Sequence, residues 1–179
     1  TRRNRGLLTM YLELQKNIEF SLEEDKDPYS AILEILSKCK PHEKNDIFEL
    51  LEGFARHSKG KKRDNSLYLL ALESKDASNR LLDDLINEIG VEFSEKKNLV
   101  YPAFLMIMNC SRKDKLKFCT QFLEWSITNN NRNIAPLVIK CILVLGWKEH
   151  LSEISKYFEW ENDDRVLIHS IAVFICEKG

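Results

Sequence analysis

The apolar residues of this chain recur at helical spacing, and the helical stretches themselves recur about every thirty residues. Sliding residues 133–147 forward by thirty sets Leu137 on Leu167, Val138 on Ile168, Cys141 on Ile171 and Leu145 on Ile175, with Asn133 on Asp163 just ahead of each stretch. A shift of thirty-four sets Pro102 on Pro136, Phe104 on Val138 and Ile107 on Cys141. A shift of thirty-two sets Leu67 on Leu99 and Ala71 on Ala103. Units of this length, each a helix, a tight turn and a second helix, mark an α-solenoid, in which neighbouring units bury one another's apolar faces.

The punctuation agrees with helices. Asp27 stands at an N-cap position with Pro28 at the first helical position, where a missing N–H is harmless. Ala31, Ile32, Ile35, Leu36 and Cys39 then follow at helical spacing, as do Ile47, Phe48, Leu51, Phe54 and Ala55 after Pro41. Two further helices are predicted from Asn65 and from Ser78, the second ending at Gly90 as a C-terminal cap. Ser111, with Asp114 three residues on, resembles a capping box for the next helix. No stretch alternates apolar and polar residues for long enough to argue for a strand.

Leu137, Cys141, Ile142, Leu145 and Gly146, then "WKEHLSEISKYF" and "ENDDRV", resemble the short HEAT repeat. The family's Val-Arg pair appears reversed here as Arg165-Val166, and its small alanine positions hold Cys141 and Ile142. The resemblance is best from Asn98 onward. It implies an all-α chain, a right-handed HEAT-like α-solenoid of about ten antiparallel-paired helices with no sheet. The expected organisation is one domain over 1–179, with a capping helix at 1–26. Helix pairs follow at 27–58, 65–90, 98–128 and 133–158, and a half repeat at 163–179 closes the array.

Composition narrows the function classes. In 179 residues, 27 Lys and Arg meet 28 Asp and Glu, a balance unlike that of a general polyanion binder. No apolar run approaches the roughly 20 residues that span a bilayer, so no membrane association is expected. "TRRNRG" leads into a mixed segment rather than the apolar core of a secretory leader. Five cysteines without a CxxC pair fit reduced thiols in a cytoplasmic protein. Cys39, Cys110, Cys141 and Cys176 fall on apolar stripes and are expected to be buried. Only an exposed Cys119 would make a reactive thiol, and no histidine lies near it in sequence to activate it.

The residues for chemistry are sparse. His42 in "HEKND" lacks the second histidine of a zinc helix. His150 and Glu153 would supply two ligands where an open metal site needs three. His57 follows a helix end, and His169 lies in an apolar run. "GFARHSKGKKRD" has its glycines too far apart for a phosphate loop and Lys62 where Ser or Thr is required. No enzyme activity, metal or cofactor is expected.

Two charged features remain. Lys59, Lys61, Lys62 and Arg63 surround Gly60 in what reads as a solvated loop between helices, with phosphate contact as its alternative role. Acids gather on the outward sides of second helices: Glu49 and Glu52, then Asp83, Asp84 and Glu88, then Glu124, then Glu149 and Glu153. Trp160 sits among further acids as a candidate anchor. In HEAT-like arrays second helices line the concave face, and the resemblance makes that face the expected binding surface. The expected function is therefore a non-enzymatic protein-binding module with a basic partner. Its sharpest form is a bacterial immunity protein that blocks a toxin, such as a nuclease. The alternatives are nucleic-acid binding, as in HEAT-like DNA-alkylation repair proteins, and a piece of a larger scaffold.

Overall fold

A computed structural model describes residues 2–91 and 95–129. The described residues form seven helices and no strand: α1 (Arg2–Glu24), α2 (Pro28–Lys38), α3 (Pro41–His57), α4 (Gly60–Glu73), α5 (Lys75–Val91), α6 (Lys97–Asn109) and α7 (Lys115–Thr128). The segments 133–158 and 163–179, with Cys141 and Cys176, lie outside the described residues. The chain divides into two compact units, Thr1–Leu81 and Leu82–Gly179, and α5 contributes to both.

In the first unit the helix starts follow from local hydrogen bonds. The Asp27 carboxylate accepts from the Ser30 amide at 3.1 Å and from its hydroxyl at 2.6 Å, while Pro28 opens α2. These bonds hold the Asp27 carboxyl below its ordinary pKa. At α3, Glu43 reaches back to accept from the Lys40 amide at 2.7 Å. The α3 stripe buries Ile47, Leu51 and Ala55, with Phe48 and Phe54 half-buried at its margins. Because α2 ends at Lys38, Cys39 is an extended cap residue and half-exposed, not a buried stripe position.

The basic stretch after α3 is not a loop. Gly60 takes φ +62°, a left-handed conformation that costs glycine little, and so turns the chain after two linking residues. Lys61, Lys62 and Arg63 are then the first turn of α4, five residues ahead of the start predicted at Asn65. The most extensive helix packing of this unit joins α3 to α4, which the sequence places in different pairs. Helix α4 packs against α1, α2 and α3, and Ser66, Leu67, Leu69, Leu70 and Ala71 are all buried. A helix buried around most of its circumference is the centre of its unit.

Polar groups at this centre are satisfied locally. The Ser66 hydroxyl donates to the Lys62 carbonyl at 2.6 Å, and the Asn65 amide donates to the Leu22 carbonyl in the last turn of α1 at 2.8 Å. Ser74 is the whole link between α4 and α5. Its N–H donates to the Leu70 carbonyl at 3.0 Å, and its hydroxyl accepts from the Ala77 amide at 3.2 Å. That cap starts α5 at Lys75, ahead of the start predicted at Ser78.

The second unit buries Leu82, Leu85, Ile86 and Ile89 of α5, most of α6, and Phe118, Cys119 and Phe122 of α7. Phe122 packs on Phe104 at 4.8 Å between ring centroids and meets Trp125 edge-on at 5.2 Å. Gly90 lies inside α5 rather than capping it. A Cβ there would stand 2.7 Å from the Trp125 ring, so close approach of that ring requires glycine. Ser111 precedes α7 by four residues and opens no capping box, since the helix starts at Lys115. Cys110 and Cys119 are both buried.

Two outcomes follow. Leu70→Ala should lower unfolding free energy by about 2–5 kcal/mol in urea titrations, because Leu70 is fully enclosed. Alkylation of the native protein, mapped by mass spectrometry, should label Cys39 well before Cys110 or Cys119.

Candidate interaction site

The candidate acids divide into anchored and solvent-facing groups. In the first unit Glu49 is exposed on α3, but Glu52 is 14 % exposed and multiply bonded. The Arg80 Nε donates to its two oxygens at 3.3 and 3.2 Å, and Arg80 Nη2 donates at 2.7 Å. Arg56, one turn along α3, adds a bond at 3.1 Å. Arg80 above all, then Arg56, holds the Glu52 carboxyl below its ordinary pKa against the opposing effect of burial. Glu52 therefore fastens α3 to α5.

In the second unit Asp83 accepts from Arg112 Nη1 and still leaves 58 % of its side chain exposed. Arg112 also donates to Asp114, Nε at 2.9 Å and Nη2 at 2.6 Å, and lies over the Phe118 ring at 4.8 Å. These carboxylates keep the guanidinium charged well beyond its ordinary range, and Arg112 pulls the Asp114 carboxyl down. Glu88 pairs with Lys96 at 3.4 Å. Asp84 and Glu124 are exposed. Glu149, Glu153 and Trp160 lie outside the described residues.

The basic cluster divides in the same way. Lys59 and Lys61 are exposed. Lys62 pairs with Glu23 at 3.2 Å and Glu19 at 3.9 Å and sits over the Phe54 ring at 5.2 Å. Arg63 Nε donates to the Ala55 carbonyl at 3.0 Å, near the end of α3. Half of the group read as a solvated loop thus holds α4 against α1 and α3. Among the described residues no three His, Cys, Asp or Glu side chains gather as metal ligands, and no helix is long and apolar enough to cross a membrane.

Arg80 and Arg112 are the organising cations, and the sequence singles out neither. Their partners lie 28 and 29 residues away, beyond any local pairing rule. No protein-family model, curated protein or solved structure matches the chain.

Glu52 gives a pH test. Its folded pKa is depressed, so its contribution is present above the ordinary carboxylate range and is lost as pH falls through the folded value. Glu52→Gln should cost on the order of 1 kcal/mol at neutral pH. The gap to the parent protein should close in acid, as read by thermal melts from pH 7 down to about 3.

Proposed function

We propose that this chain is a non-enzymatic protein-binding module of the HEAT-like α-solenoid type that takes a basic partner on the acids of its second helices. Its sharpest form is a cytoplasmic immunity protein directed at a toxin, such as a nuclease. The repeat reading is supported by two acid–arginine pairs of nearly equal separation, Glu52 with Arg80 and Asp83 with Arg112.

The observation that carries the binding reading is Asp83. Its carboxylate grips a guanidinium while more than half of the side chain stays open to solvent. An ionised carboxylate has about four acceptor positions, so one internal arginine leaves capacity for a partner's cation. Rigid helices hold Glu49 and Glu124 exposed as well, which reduces the entropy lost when a partner's side chain docks. The nucleic-acid alternative rests on Lys59 and Lys61, since Lys62 and Arg63 already serve the fold.

The test uses a basic toxin domain recovered by affinity pull-down from the source organism, with a DNA duplex as the rival ligand. Glu49→Lys, Asp84→Lys and Glu124→Lys together should slow association with the protein at least tenfold, with the effect shrinking in high salt. Lys59→Ala with Lys61→Ala should leave that rate unchanged. A loss confined to the lysine variants, or duplex binding that depends on them, sinks the acidic-face reading.

A further inference from the structure

We propose that the outer strip of α6 is a docking site for an acidic amphipathic helix of a partner protein, a surface separate from the acids of α5. Around most of its circumference α6 is core: Leu99, Val100, Pro102, Ala103, Phe104, Met106, Ile107 and Cys110 are buried. The remaining stripe is apolar along its middle, between Asn98 and Asn109 at its ends. Tyr101 is 50 % exposed, Met108 is 40 % exposed, and Leu105 between them is half-buried. These three stand at i, i+4 and i+7, so they form one row of about 10 Å along the helix. A solvent-facing helix surface ordinarily carries polar residues there, and a row of large apolar side chains at this spacing matches helix-in-groove recognition.

The charges around the row specify the occupant. Lys115 Nζ donates to the Met108 carbonyl at 3.4 Å, which places a cation at the C-terminal end of the strip. Lys113 and Lys117 are exposed on either side of it in sequence. Asp114, between these lysines in sequence, is bonded to Arg112, and the three lysines leave this end cationic on balance. At the other end of α6 Lys96 is paired with Glu88 at 3.4 Å, so the cationic end of the strip is the C-terminal one. A partner helix with apolar residues at i, i+3, i+4 and i+7 and glutamates beside them would meet apolar with apolar and acid with lysine.

The experiment measures fluorescence polarisation of the full chain with three labelled amphipathic helical peptides. They share one leucine row and carry Glu, Gln or Lys at the polar positions. The Glu peptide should bind at least tenfold tighter than the other two. Tyr101→Ser and Met108→Asp should each weaken it about tenfold or more. Reversing Lys113, Lys115 and Lys117 to Glu leaves the apolar row intact and should switch the preference to the Lys peptide, with helical circular dichroism unchanged. Asp84→Lys should leave Glu-peptide binding as it was, which separates this strip from the α5 acids. Equal binding of the three peptides, or no binding at all, overturns the proposal. So does concentration-dependent dimerisation abolished by Met108→Asp, because the strip would then belong to a second copy.

Discussion

Enclosure of α4 by α1, α2 and α3 is the constraint on which the first unit depends. Leu67, Leu69, Leu70 and Ala71 are almost wholly removed from water. Each enclosed leucine contributes about 1.5–3 kcal/mol of transfer free energy relative to exposure. That gain requires neighbours on three sides at once, which ties the placement of three helices to one sequence segment. The side chains at the edges of α4 serve the same end. Lys62 reaches Glu19 and Glu23 of α1, Arg63 reaches α3, and Tyr29 of α2 donates to Glu73 at 2.8 Å.

The charged surface is organised by a second requirement, that helices sharing a core be held in register. Glu52 with Arg80 and Asp83 with Arg112 each bridge elements distant in sequence. Each pair has one partner more than half exposed, so its energy is modest and its importance lies in orientation more than in stability. The consequence for function is a partition of the acids. Glu52 is committed to the fold, Asp83 is shared between fold and solvent, and Glu49 and Glu124 face outward. A count of acidic residues on predicted helix faces treats all of these alike.

Leu105 and its neighbours make a related point about apolar residues. On periodicity alone, Tyr101, Leu105 and Met108 are equivalent to Leu99, Ala103 and Met106, because all are apolar positions of one helix. Burial distinguishes them, leaving the first three at the surface of the second unit. Apolar pattern records that a face wants cover, and packing decides which face receives it from the chain's own helices.

What the sequence by itself determined is the helical class and much of its punctuation. Asp27 and Pro28 start α2, Pro41 starts α3, and the stripes through Ile32 and Ile47 face the core as their spacing requires. These features are local, encoded within one or two turns by capping chemistry and period. Tertiary structure decided the rest. Gly60 converts a lysine-rich stretch from loop to helix, because the cations gain partners on α1 and α3 that no local rule reveals. Gly90 reads as a helix stop, yet it is a helical residue of α5, one before the helix ends at Val91, and its missing Cβ leaves space for the Trp125 ring. Arg80 and Arg112 acquire their roles for the same reason: charge pairing depends on distance in space, and residues 28 or 29 apart come together only after the helices have packed.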